Sequence, residues 1–166
     1  MTDVYYSANC LKVHQSQKSP KLCVTNPSSA CSVENVELKN LPFGPGNDLL
    51  IKGTPNANAK CFSVNVGHSD SEVGLHISVR FDAEGEVNTI VLNSKQGDVW
   101  KDEQRAASFP FKEGKEFQMT ITNGSSEFLV NLHDGQIIHF PNRLANKTYE
   151  YVFVRGDVKV DRLQVN

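Results

Sequence analysis

An all-β sandwich of two antiparallel sheets is the fold this sequence predicts, on three observations. From Val36 onward, short runs rich in β-branched and aromatic residues recur, punctuated by Gly, Pro, Asn and Asp clusters, which is the spacing of a sandwich. Several runs alternate cleanly, as in Phe117, Met119 and Ile121 against Glu116, Gln118 and Thr120, so each has one buried and one wetted face. No stretch of about ten residues carries a convincing helical period.

Taken in order, residues 1–33 are rich in Ser, Lys, Asn and Gln, carry Pro20 and Pro27, and show no sustained apolar period. They read as an N-terminal extension, mobile or loosely attached. Two patches within it, Val4-Tyr5-Tyr6 and Leu22-Cys23-Val24-Thr25, have strand character. Residues 34–166 make the domain. Leu41-Pro42-Phe43-Gly44-Pro45-Gly46 is expected to be a rigid turn leading into the first strand, Asp48–Lys52. The further strands expected are Lys60–Val66, Gly74–Phe81, Val87–Asn93, Arg105–Phe109, Glu116–Thr122, Glu127–Leu132, Gln136–Phe140, Tyr149–Arg155 and Val158–Val165. Ala83-Glu84-Gly85, Asn123-Gly124-Ser125 and His133-Asp134-Gly135 stand where hairpin turns are needed, with Gly or Asn able to take positive φ.

Composition narrows the function classes. Hydrophobic residues make up 39% of the chain and charged ones 22%, as in an ordinary globular protein. A net charge of -2, from 17 basic and 19 acidic residues, gives no electrostatic reason to bind nucleic acid or an anionic membrane. A neutral ligand suits this balance. No apolar run is long enough to span a membrane, and the N-terminus lacks the charged start and apolar block of a secretory signal. The cytosol is therefore the default compartment. Cys10, Cys23, Cys31 and Cys61 show no C-x-x-C spacing and no partnering histidine pair, so a zinc site is not expected, and in a reducing compartment the four are free thiols. No phosphate-binding loop is read in the sequence either, and no cofactor is expected.

The chemistry concentrates between His76 and Arg105. In an extended strand His76, Ser78 and Arg80 share one face while Leu75, Ile77, Val79 and Phe81 share the other. Trp100, the sole tryptophan, lies beside a polar turn and is expected to be exposed. An indole plane beside clustered hydrogen-bonding groups suits a ligand that is apolar on one side and hydroxylated at its rim, such as a sugar ring. Glu103 and Arg105 share a strand face, and if Arg80 lies on a neighbouring strand a carboxylate is held between two guanidiniums. That array either preorganises a polyol site or is a solvated ion-pair cluster worth at most about 1 kcal/mol. His76 and Asn93 each offer donor and acceptor capacity and are uninformative singly.

Together, His76-Ile-Ser78-Val-Arg80, Asn93, and Trp100-Lys-Asp-Glu103-Gln-Arg105 resemble the galectin carbohydrate-recognition motif, H-x-N-x-R, then N, then W-x-x-E-x-R. Phe109-Pro110-Phe111 followed by Gly114, and Phe140-Pro141-Asn142-Arg143-Leu144, are similar to flanking galectin segments. The resemblance covers roughly Val36 to Asn166. It implies a galectin-type, jelly-roll sandwich that binds β-galactosides on its concave sheet, without metal or catalysis. By position it implies that His76 and Arg80 bond the axial hydroxyl of galactose, that Asn93 and Glu103 take the primary hydroxyl, and that Trp100 stacks on the ring. Glu103 and Arg105, with Arg80, would reach the neighbouring sugar of a lactose-like disaccharide.

Ser78 departs from the family's usual asparagine, and losing one such contact costs on the order of 1 kcal/mol. Val79 stands where many members carry proline, and Glu84 where some place a second histidine. The alternatives that follow are an altered sugar preference, for example for mannosides, or a lost sugar site with a protein-interaction role. A glycoside hydrolase needs two facing carboxyls, whereas Glu103 reads as the only acid on this face. The family also implies a homodimer built through terminal strands, which cross-links glycans on glycoproteins or glycolipids, and export without a signal peptide. The residues before Val36 are expected to lengthen, swap or block such an interface. Asn123 and Asn146 match glycosylation acceptors and are expected to be unmodified.

Overall fold

The computed structural model describes residues 35–145 and 148–166, together with the backbone of residues 12–15 and 22–25. Val4-Tyr5-Tyr6, Cys10, Cys31 and Asn146 lie outside the described residues. Every regular element described is a strand: β1 Lys12–Gln15, β2 Leu22–Thr25, β3 Asn35–Phe43, β4 Asp48–Pro55, β5 Cys61–Gly67, β6 Glu72–Ala83, β7 Glu86–Gln96, β8 Val99–Trp100, β9 Gln104–Arg105, β10 Phe117–Asn123, β11 Glu127–Leu132, β12 Ile137–Pro141, β13 Tyr149–Gly156 and β14 Val158–Val165. They form two sheets of antiparallel neighbours, one ordered β1-β2-β14-β4-β10-β11-β12 and the other β3-β13-β5-β6-β7-β8, with β9 also on β7.

Period-two alternation sends one face of each sheet into a shared core. Leu49, Ile51, Met119, Ile121, Phe128, Val130 and Phe140 from the first sheet are buried with Leu38, Phe62, Val64, Leu75, Ile77, Leu92 and Val152 from the second. Phe62 locks the ends together, stacked on Phe117 at 5.3 Å and edge-on to Phe111 at 5.5 Å. Leu22–Thr25 pairs with β14, Arg162 opposite Thr25 and Gln164 opposite Cys23, so that β14 has a strand on both sides.

The structure corrects two expectations. Residues 41–43 are not a turn but the end of β3, with Phe43 opposite Tyr149 on β13. The strand escapes a periodicity search because a register shift lies between Tyr149 and Tyr151 on β13, opposite β3's Asn40, whose φ is 57°; alternation therefore breaks between Leu38 and Leu41. The expected strand Arg105–Phe109 shrinks to Gln104–Arg105. Beyond Ala106, whose N–H still reaches Ile90 O, the N–H groups of Ala107 and Ser108 donate to Gln136 Oε1 instead of to a strand. Asn123 is fully buried and donates Nδ2–H to Phe43 O, so the nitrogen that a glycan would be attached to faces the interior of the folded protein.

One turn sets the register that the site depends on. Glu84 and Gly85 have φ of 54° and 75°, a two-residue hairpin loop of the kind that matches strand twist. It fixes Arg80 opposite Thr89, Ser78 opposite Val91 and His76 opposite Asn93.

Candidate functional site

The outer face of the second sheet carries rows of side chains that run across the strands. One row contains Phe153, Asn65, His76 and Asn93; the next contains Arg155, Ser63, Ser78 and Val91. Small residues in the second row leave an open cleft of about 660 Å³, bounded by Trp100 and Glu103 at one end and by Arg155 and Gly156 at the other.

His76 is held by a relay. Asn65 is buried and donates Nδ2–H to Phe153 O and to Ser63 Oγ, both at 3.2 Å. This turns its Oδ1 toward His76 Nδ1 at 2.6 Å. Nδ1 is then the protonated nitrogen, and Nε2 keeps its lone pair as an acceptor. Burial, reinforced by the Arg80 guanidinium, pushes the His76 pKa down to about 4, so the ring is neutral at pH 7.

The charged groups close into a ring. Arg80 donates Nη1–H to Glu86 Oε2 at 2.6 Å, and Arg105 donates Nε–H to Glu86 Oε1 at 2.7 Å. Arg105 Nη2–H reaches Glu103 Oε2 at 2.8 Å, while Glu103 Oε1 lies 3.9 Å from Arg80 Nη2. Two cations and two anions in alternation leave no net charge and fix every fork in direction. The hydrogen bond from Arg105 holds the Glu86 carboxyl below its usual range, and Glu86 in return holds the Arg105 guanidinium above its own. Arg80 Nε–H also donates to Ser78 Oγ at 3.2 Å, which uses the serine hydroxyl as an acceptor.

Trp100 is 48% exposed, as its neighbours in the sequence suggest, with its ring centroid 4.7 Å from that of His76 and inclined at 53°. Lys95 Nζ lies 5.6 Å from the indole centroid. Asn93 is buried and donates Nδ2–H to Lys101 O at 2.9 Å. That bond, with Lys101 N–H to Ser94 O at 3.0 Å, shapes the irregular stretch carrying Trp100 to Glu103.

Six of the seven residues singled out in the sequence, His76, Ser78, Arg80, Asn93, Trp100 and Glu103, line this one cleft. Arg105 does not line it and joins through Glu86 and Glu103. Sequence reasoning missed Glu86, so Glu103 is not the only acid on this face: Arg80 and Arg105 hold two carboxylates between them, Glu103 as expected and Glu86 at the shorter distances. Its signal was its position directly after the Glu84-Gly85 turn, where the chain returns beside Arg80. Asn65 was missed too, although Ser63 and Asn65 repeat the two-residue period of His76, Ser78 and Arg80 on the neighbouring strand. Cys61 lines the cleft as a free thiol whose pKa burial, and then Asp157, push up.

Chemically the cleft offers fixed donors, a neutral imidazole acceptor and an apolar plane. The acids are tied to arginines, which suits binding of a neutral polyhydroxyl ligand. Among the described residues no group of His, Cys, Asp and Glu could hold a metal ion, and no helix is long and apolar enough to cross a membrane.

Comparison with known proteins gives concordant results. The family model described as galactoside-binding lectin matches residues 35–165. A galactose-binding lectin, l-1, from Anguilla japonica is 42% identical over 131 residues, covering 79% of this chain and 92% of that protein. Lactose- and MES-liganded congerin II superposes with a TM-score of 0.77 at 34% identity, over 80% of this chain and 99% of that one. CG-16, a homodimeric agglutinin from chicken liver, does so with a TM-score of 0.77 at 37% identity, again over 80% and 99%.

Proposed function

The chain belongs to the galactoside-binding lectin family, the galectins, and from that premise we propose that it is a non-catalytic, metal-independent lectin that recognises β-galactosides of the lactose type. The observation that carries this reading is the cleft in which the exposed Trp100 indole stands beside neutral His76 and the Arg80, Glu86, Arg105 and Glu103 ring. The indole takes the apolar face of the sugar, His76 Nε2 accepts from a hydroxyl, and Arg80 donates to one. Asn93, with Glu103, serves the primary hydroxyl, and Glu103 and Arg105 serve the second sugar. Binding to such an array costs little side-chain entropy because the charged groups already hold one another.

The test is a lactose titration followed by the emission of Trp100. Saturable change, together with retention on a lactose column that is lost in Trp100→Ala, is the expected result. No change at tens of millimolar lactose, and no retention, would exclude this reading.

A second reading, altered sugar preference, is favoured by Ser78, whose hydroxyl already accepts from Arg80 Nε–H. Under it, mannose would replace lactose as the stronger ligand in the same titration.

For assembly we propose a homodimer that cross-links glycans, since a weak site gains avidity when two engage together. Support comes from a homodimeric relative and from β3, nine residues long, which among the described strands stands at the end of its sheet whereas β14 is paired on both sides. A single protomer mass in sedimentation equilibrium at all concentrations would exclude the dimer. The cytosol is the proposed location, with signal-independent export to reach cell-surface glycans; a tagged chain absent from the medium of intact cells would argue against export.

A further inference from the structure

Arg143 belongs to the loop after β12, on the opposite sheet from the cleft, and takes no part in the ring of charges. Its guanidinium lies over the Phe140 ring, 4.8 Å from the centroid. The loop beneath it is firmly built: Asn142 N–H donates to Ser126 O, and Asn142 Oδ1 accepts from the buried Tyr149 hydroxyl at 2.6 Å. From this base Arg143 Nη1 reaches Asp102 O at 2.7 Å and lies 3.4 Å from Asn93 Oδ1 and 3.5 Å from Ser94 Oγ.

Those targets matter because residues 101–103 belong to no strand. Trp100 and Glu103, which supply the apolar plane and one member of the ring, sit at the two ends of that irregular segment. Its backbone groups cannot be held by a ladder and need individual partners. Asn93 supplies one, at Lys101 O, and Arg143 supplies the next, at Asp102 O.

We propose that Arg143 is a positioning residue for the sugar site, tethering the Trp100–Glu103 segment to the far sheet so that the indole and the Glu103 carboxylate stand ready before the ligand arrives. The inference rests on the lectin reading for its functional consequence, but the tether itself does not depend on sugar. A charged donor to a carbonyl is among the stronger hydrogen bonds. Without it the segment must be ordered at the moment of binding.

The test compares wild type with Arg143→Met, which keeps an apolar stem over Phe140 but removes the donors, and with Arg143→Lys, which restores one donor. Two readouts are needed: acrylamide quenching of Trp100 without sugar, and lactose affinity from Trp100 emission. Arg143→Met is expected to raise the quenching constant and weaken lactose binding about tenfold, with Arg143→Lys falling between it and wild type. Unchanged quenching and unchanged affinity in Arg143→Met would overturn the proposal. Weaker affinity with unchanged quenching would also overturn it, because the arginine would then act elsewhere than on the segment. If wild type itself fails to bind lactose, the quenching comparison still decides the tether, so failure of the lectin reading is seen separately.

Discussion

Acidification should destabilise this protein through His76 in particular. In the folded chain the ring is desolvated and lies beside Arg80, and these two effects bring its pKa down to about 4. In the unfolded chain it returns to about 6.5. Between those values the unfolded state holds a proton that the folded state lacks. Stability is therefore fully present above pH 6.5 and falls as the pH drops. At 1.36 kcal/mol per pH unit, the whole gap corresponds to about 3 kcal/mol, of which about 2 kcal/mol is already lost at pH 5. The assay is urea unfolding at pH 7 and pH 5, followed by far-UV circular dichroism, for wild type and for His76→Gln. Glutamine does not titrate, so the carboxylates and other histidines cancel in the comparison. Wild type is expected to lose about 2 kcal/mol more than the variant between the two pH values. Equal losses would refute the assignment of a neutral, buried imidazole, as would an imidazole that titrates near 6.5 by NMR.

Three further outcomes are expected. Ser78→Asn should strengthen lactose binding several-fold, on the order of 1 kcal/mol by calorimetry; unchanged affinity would show that the serine is not the weak point of the site. Glu86→Gln should weaken lactose binding about tenfold, because Arg80 and Arg105 lose the carboxylate that orients both, and wild-type affinity in this variant would remove Glu86 from the site. Gly85→Ala should lower stability by about 1 kcal/mol in chemical denaturation. At φ of 75° with nothing within 4 Å of an added Cβ, that cost is conformational alone, and a loss several times larger would point to a slip of the β6 and β7 register.

The sequence by itself determined the fold class and the polar face. Alternation such as Phe117, Met119 and Ile121 is a local property, fixed by the two-residue period of an extended chain, and it survives into the buried rows of the core. The same period puts His76, Ser78 and Arg80 on one face whatever strands lie beside them. Trp100 stood out because it is the only indole and adjoins a polar turn.

What only the tertiary structure decided is which groups meet across strands. Asn65 fixes the tautomer of His76 because β5 and β6 lie in one register, and Glu86 bridges Arg80 and Arg105 because the Glu84-Gly85 turn brings β7 back beside β6. Arg143 reaches Asp102 from 41 residues away in the chain. β3 was hidden by a register shift that breaks its alternation, and the strand expected at Arg105–Phe109 was lost to Gln136, a competitor for its N–H groups. Periodicity is written along the chain, whereas hydrogen-bond partners are chosen through space by register, and a single residue of slip would exchange every partner in the cleft.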